Sequence, residues 1–521
     1  MESAWRSFEE NRRRHLMKGP KSLAEIRFSE SPPPYSGEPT RGRRDDAPGG
    51  ASSTRIVLDR ALLERYDVLA PRYTSYPTAA SFGPFSEADY RECVRSSNGD
   101  PVPRALSIYV HLPFCRTVCF YCGCNRIVTA NRGRIARYIE YLNAEIALQS
   151  RLFDSDRTVT QLALGGGTPN FLASEQLVRL ASRLREHFRF AGDEEGDFSI
   201  EIDPRQCDDA QLSVLRSSGF NRVSFGVQDL DPRVQRAVNR VQPAERVLPL
   251  IDVARQSGFR SINVDLIYGL PFQTAVGFDS TLRRILALRP ERLSIFNYAH
   301  LPERFKMQRR IDAGTLPSPG EKFEILRQIV SRLEAAGYLH IGLDHFVLPE
   351  DSLAKALRDR TLTRNFQGYS THGDSEILGL GMTAIGSIGS AYHQNSRSID
   401  DYQATVERGQ IPIRKGYRLS EEDQVRRDVI LAIMCRGEVD PAALERRWSI
   451  DFRSFFEHEI EALLPMQEEG LVEMFPAHPH AGDPPLLRVT PLGRLLVRNI
   501  ARVFDAHSGA RPTTATFSRT I

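Results

Sequence analysis

Cysteine is scarce in this chain, at seven in 521 residues. Long apolar runs are missing as well. No stretch of about 18 apolar residues occurs, so no membrane span is expected. The opening residues, MESAWRSFEENRRRHLMKG, lack the apolar centre of a secretory signal, and their glutamates are unlike an acid-poor organellar transit peptide. One tight group of four cysteines and three scattered ones do not make a secreted disulfide framework. These absences point to a cytoplasmic protein. A formal net charge of +3 gives no reason to expect a nucleic-acid partner. What is present is the composition of a globular protein, 41% hydrophobic and 26% charged, at a length that implies two or more domains.

Residues 1–55, rich in Pro, Gly, Ser and charge, read as a disordered tail. Residues 56–105 read as an N-terminal arm, with a short helix Asp59 to Tyr66 and the proline-punctuated PRYTSYPTA (71–79). From Leu106 short β-branched or aromatic runs alternate with amphipathic ones. The strand candidates are LSIYVHL, VTQLALG, FSIEID, RVSFGVQ, SINVDLIYG, RLSIFNYA and LHIGLDHF. Strand–helix alternation implies βα units and a parallel sheet. Six or seven such units fit an α/β fold, a partial or full (β/α) barrel over 106–395. Unusual polar residues gather at the C-terminal ends of these strands, where barrel chemistry sits. Residues 396–521 read as a mainly helical, winged-helix-like C-terminal domain acting as a lid or packing unit.

Four of the cysteines lie in YVHLPFCRTVCFYCGCN (109–125), spaced C-x3-C-x2-C-x-C. Structural zinc favours two separated pairs that close a tetrahedron. A redox dithiol would use Cys119 and Cys122 and leave Cys115 and Cys124 without a role. An iron–sulfur cluster suits the compact C-x3-C-x2-C, because each iron can take one thiolate. The spacing favours the cluster and leaves the other two readings open. GGGTP (165–169), after the second strand, is not a dinucleotide fingerprint. Its bare glycines would let backbone approach a ligand.

The cysteine loop after the first strand, Tyr121 before the third cysteine, and GGGTP after the second strand resemble the radical S-adenosylmethionine superfamily. PRYTSYPTA, HLPFC with CGCN, GVQD, NVDLIYGLP, NYAHLPERF, DHFVLPEDSLA and RNFQGYSTHGDSEILGLG together resemble the oxygen-independent coproporphyrinogen III oxidases, over roughly residues 55–510. The resemblance implies a 4Fe-4S cluster on Cys115, Cys119 and Cys122, with one iron left for S-adenosylmethionine. It implies two S-adenosylmethionine sites. Tyr109, Gly166, Glu201 and Ile385 match the first; Gly167, Thr168, Gln228, Arg240, Asp265 and Ala299 match the second. Tyr121 would offer a face to the adenine. Cys124 falls outside the ligand set and is read as a catalytic, substrate-side thiol. The implied substrate is coproporphyrinogen III, whose two propionates become vinyl groups. The implied partner is an electron donor such as flavodoxin or ferredoxin, and the implied state is a monomer. The rival of another class is a haem chaperone of the same superfamily. Its HNxxYW pattern is missing here, where Arg364 to Asp374 reads RNFQGYSTHGD.

Overall fold

The computed structural model describes residues 59–475, 486–508 and 517–520. The tail expected over 1–55 lies outside them. Six strands carry the site: β1 (Leu106–Leu112), β2 (Thr158–Gly166), β3 (Asp197–Ile202), β4 (Arg222–Gln228), β5 (Ser261–Tyr268) and β6 (Arg292–Asn297). They pair in parallel in that order, with a helix between each strand and the next. Side-chain period explains both faces. On β4, Val223, Phe225 and Val227 are buried under the helices, while Ser224, Gly226 and Gln228 share the other face. On β5 the same division sets Ile262, Val264 and Leu266 against Asn263, Asp265 and Ile267. The outer face is therefore apolar core and the inner face polar.

The run LHIGLDHF is not one strand. It is a hairpin, β7 (Leu339–Gly342) and β8 (His345–Val347), antiparallel to each other, with β8 antiparallel to β6. The chain reverses at Leu343, whose φ of 49° follows Gly342 at 150°. The Gly-Leu-Asp inside the apolar run is the turn. A second hairpin, β9 (Thr363–Asn365) and β10 (Gly368–Ser370), follows. A further parallel strand, β11 (Glu376–Leu380), pairs with β1. It is buried throughout, so it shows no alternation that could announce it. Beyond it β12 (Ile385–Ile388), β13 (Ala391–Asn395) and β14 (Ile413–Arg418) extend the same sheet antiparallel. The fourteen-stranded sheet therefore continues past residue 395, to Arg418. Its two ends, β7 and the short Gly83–Pro84 strand, do not pair, so the barrel is open.

After β14, helices Glu421–Leu431, Pro441–Trp448 and Glu457–Glu468 surround a small antiparallel sheet of β15 (Glu438–Val439), β16 (Val472–Met474) and β17 (Leu487–Val489), before helix Val497–Val503. This unit shares one apolar cluster with the arm and the β7–β8 hairpin: Tyr73, Tyr76, Ile341, Val347, Val429, Ile433, Phe456 and Phe504 all belong to it. The arm is a brace. The Tyr73 hydroxyl donates to Asp505 Oδ2 at 2.9 Å, and the Tyr76 hydroxyl accepts from Ala506 N at 3.0 Å. Arg498 donates to the carbonyls of Pro71 (3.0 Å) and Ala70 in the arm, and to those of Ser518 and Arg519.

Tyr73→Phe removes the hydroxyl from a buried carboxylate and leaves the ring in place. A loss of about 1–3 kcal/mol is expected, read as a lower denaturant midpoint with unchanged slope. No loss would mean that the arm does not brace the fold through this contact.

Candidate active site

The cysteine loop leaves β1 at Leu112 and is closed at its stem. Ile127 N donates to Pro113 O at 2.7 Å and Thr129 N to Cys115 O at 3.0 Å. Its tip is pinned from several directions. Phe120 N donates to Val238 O (3.0 Å), Asn239 Nδ2 to Val118 O (2.7 Å), and Arg126 to the carbonyls of Cys122 and Cys124. His111 Nε2 donates to Asn125 O at 3.1 Å. Cys115 and Cys119 are buried, Cys122 is partly buried and Cys124 is exposed.

The sulfurs are met by donors. Thr168 Oγ1 lies 3.4 Å from Cys115 Sγ; Arg240 Nη1 and Arg205 Nη2 lie 3.5 and 3.9 Å from Cys119 Sγ. A hydrogen bond from Cys124, with Arg126 and Arg240 nearby, lowers the Cys122 thiol to about 6. Burial raises Cys115 to about 11. Among the described residues no three His, Cys, Asp or Glu side chains converge as a single-ion site. Three thiols on one pinned loop, with N–H and O–H donors on the sulfurs, suit an iron–sulfur cluster instead.

The glycines at the end of β2 have a different reason from the one expected. A Cβ on Gly167 would lie 2.7 Å from the carbonyl carbon and oxygen of Pro113 and 2.8 Å from Phe114 O. On Gly166, whose φ is +112°, it would meet the His111 ring at 2.5 Å, and on Gly165 it would meet Glu201 Oε1 at 2.8 Å. Protein, not open space, lies over them. The stem of the cysteine loop crosses the strand end there, held by Gly167 N to Leu112 O and Thr168 N to Phe114 O, both 2.9 Å.

The other expected residues fall around this crossing. Tyr109 on β1 has its ring 3.3 Å from the Cβ position of Gly165, beside Glu201, and its hydroxyl 3.2 Å from His111 Nδ1. Glu201 is open to solvent on one side and accepts from Gly166 N at 3.3 Å. Burial raises it to about 7, with Asp265 and Cys122 adding. Ile385 opens β12. Its backbone lies 2.9 Å from the Cβ position of Gly379, which pairs with Tyr109, so one bare glycine separates Tyr109 from Ile385.

Gln228 ends β4 beyond a register shift, with φ +66°, and its Oε1 is buried without a partner. Arg240 Nη2 donates to Gly226 O at 2.6 Å, and its Nε is likewise buried and unpaired. Its guanidinium thus meets Cys119 and Gly226 rather than standing as a free fork. Asp265 accepts from Ser224 and Asn263, both at 2.7 Å, and burial raises its pKa. The Tyr121 ring packs with Val234, Val238, Leu270 and Ile311.

Three further residues complete the frame, two of them with no local sequence signal. Gln308 Nε2 bridges the carbonyls of Tyr121 (3.0 Å) and Ala299 (3.2 Å). His111 joins β1 to the far end of the cysteine loop. Asp203 holds Arg205 in a fork, at 2.9 and 2.6 Å, and so aims it at Cys119. Gln308 and His111 act through chain-distant contacts, whereas Asp203 acts on its near neighbour Arg205. Only Asp203, at a strand end, was marked by its position.

The family model of the radical SAM superfamily matches residues 109–285. The oxygen-independent coproporphyrinogen III oxidase of Pseudomonas aeruginosa is 48% identical over 87% of this chain and 96% of its own length. That of Escherichia coli is 43% identical over 90% of this chain and all of its own. The solved structure of the coproporphyrinogen III oxidase from Escherichia coli, described as a radical SAM enzyme, superposes with a TM-score of 0.80, over 87% of this chain and 99% of that one.

Gly167→Ala drives a methyl into the Pro113–Phe114 backbone, which cannot give way without moving Cys115. Iron and sulfide after anaerobic reconstitution are expected to fall below about a third of the wild-type content, with far-ultraviolet circular dichroism unchanged. Full cluster loading would show that the crossing tolerates a side chain.

Proposed function

The chain belongs to the oxygen-independent coproporphyrinogen III oxidases of the radical SAM superfamily, and on that premise we propose how its residues divide the work. The enzyme decarboxylates two propionate side chains of coproporphyrinogen III without oxygen, leaving vinyl groups and giving protoporphyrinogen IX. A 4Fe-4S cluster and S-adenosylmethionine, when bound, supply the 5′-deoxyadenosyl radical that starts each decarboxylation.

Cys115, Cys119 and Cys122 hold the cluster. The observation that supports this is the set of donors on their sulfurs, Thr168 on one and Arg240 with Arg205 on another. Tyr109, Gly166, Glu201 and Ile385 form a first S-adenosylmethionine site, in keeping with Tyr109 meeting Glu201 at Gly165 and lying one glycine away from Ile385. Gly167, Thr168, Gln228, Arg240, Asp265 and Ala299 form a second. Its support is a pair of unspent buried polar atoms, Gln228 Oε1 and Arg240 Nε, on side chains that both approach the Cβ position of Gly226. Tyr121 backs the adenine. Cys124, exposed beyond the ligand set, faces the substrate.

Residues 113–139 contain five arginines and no Asp or Glu. This favours an acidic electron donor such as flavodoxin or ferredoxin at the cysteine-loop face. No helix is long and apolar enough to cross a membrane among the described residues. We assign a cytoplasmic monomer, with an arm over 56–105, a catalytic sheet carried on to Arg418 by β14, and the helical unit after it.

Reconstituted, reduced protein with S-adenosylmethionine is expected to convert coproporphyrinogen III to protoporphyrinogen IX without oxygen, releasing methionine and 5′-deoxyadenosine. Stable haem binding with no conversion would instead mark a haem chaperone. Cys124→Ser is expected to keep full iron and sulfide while losing at least about tenfold in turnover. Loss of the cluster in that variant would make Cys124 a ligand.

A further inference from the structure

We propose that Arg364, with Arg72 and His345 beside it, forms a carboxylate pocket that grips a propionate of the substrate which is not removed. The proposal rests on the oxidase reading above.

The β9–β10 hairpin reaches the inner face of the open barrel. The Ser107 hydroxyl of β1 donates to Gln367 Oε1 at 2.8 Å, and the Ser370 hydroxyl to Gln161 Oε1 of β2 at 3.4 Å. Arg364 and Tyr369 are cross-strand partners, with the guanidinium 4.7 Å over the ring. Arg364 is 5% exposed. Its Nε donates to Arg72 O at 3.4 Å, while its Nη1 is buried with no hydrogen-bond partner. Tyr369 is edge-on to His345 at 5.2 Å, and His345 is edge-on to Phe296 at 6.1 Å. Arg72 lies 5.7 Å over Phe296. His345 Nδ1 is also buried and unpaired. Aromatic faces and unpaired ring or guanidinium nitrogens therefore alternate around one place.

Charge in this place is unbalanced. Arg72 pairs with Asp344. Among the described residues no acidic side chain lies within ion-pair distance of Arg364. Burial, with Arg364 and Arg498 close by, pushes Arg72 down to about 9. Burial, with Arg364, Arg72 and Arg292 close by, holds His345 well below the ordinary imidazole range. A buried guanidinium with a spare N–H and no counter-charge is costly until an anion completes it. A carboxylate on an apolar ring matches both the donors and the aromatic walls.

The pocket stands on the catalytic rim: Phe296 pairs with Ile267, two residues beyond the pairing of Ser294 with Asp265. A guanidinium stabilises a carboxylate and so opposes its departure as carbon dioxide. The gripped propionate is therefore one that survives the reaction, and the grip sets which side chains face the chemistry.

The test is equilibrium binding to the reconstituted holoenzyme, read by fluorescence. The probes are coproporphyrin III, the stable tetracarboxylic acid, and its tetramethyl ester. Wild type is expected to prefer the acid, and Arg364→Met to weaken acid binding about 10- to 100-fold while ester binding stays within about twofold. In turnover the same variant is expected to raise KM with kcat within about threefold. Equal losses for acid and ester, or no loss for the acid, overturn the pocket. If Arg364→Met fails to fold, wild type alone decides, because an acid preference under about threefold also overturns it. Wild-type protein that discriminates acid from ester but makes no protoporphyrinogen IX would refute the oxidase reading and leave the pocket standing.

Discussion

Everything at the active rim depends on one close approach, that of the Pro113–Phe114 backbone to Gly167. Two segments of chain cross with no side chain between them, and two backbone hydrogen bonds hold the crossing. The stem of the cysteine loop is thereby fixed to the end of β2. Thr168, the next residue, reaches Cys115, and Glu201 lies over Gly165 on the neighbouring strand. A loop bearing four thiols would otherwise be a surface excursion. The crossing makes it part of the sheet's rim and sets its register against β3, β4 and β5.

The sequence was most legible where local pattern and global fold agree. RVSFGVQ has the alternation of a strand buried on one face, and its bounds matched the structure at both ends. The cysteine spacing announced a compact sulfur loop. Three features escaped for physical reasons. LHIGLDHF holds enough β-branched and aromatic residues for a strand, but Gly342 and Leu343 turn it back on itself. EILGL is buried on both faces, so it has no polar beat. β14 lies eighteen residues after the expected boundary, because a sheet can recruit a strand from beyond an intervening helix. At the site, residue identities were readable but their partners were not. Asp203 was visible as a strand-end acid. That it aims Arg205 at a sulfur, or that Gln308 ties Tyr121 to Ala299, needed the fold.

Electrostatics runs in one direction through this rim. Arg126, Arg205 and Arg240 surround the thiols, and among the described residues only Asp203 answers them closely. Such an excess helps to lower Cys122, while burial still raises Cys115, and it suits an anionic assembly of sulfur and iron. On the inner face the sign reverses. Glu201 and Asp265 are both held above the usual carboxylate range by burial. A ligand with an ammonium or sulfonium at one end and a carboxylate at the other would find opposite fields at two ends of one groove.

The Arg498 clasp carries a consequence for biosynthesis. This guanidinium closes on the carbonyl of Pro71, 427 positions earlier in the chain. At roughly 5–20 residues per second of translation, the arm leaves the ribosome tens of seconds before its anchor is made. Through that interval the apolar cluster that Tyr73 and Tyr76 enter is incomplete, and Tyr73 lacks Asp505. The sheet can form while the chain is still growing, but the brace is sealed only after Arg498 emerges. Nascent chains of this protein therefore expose a tyrosine-rich strap that a chaperone would find, and completed chains hide it.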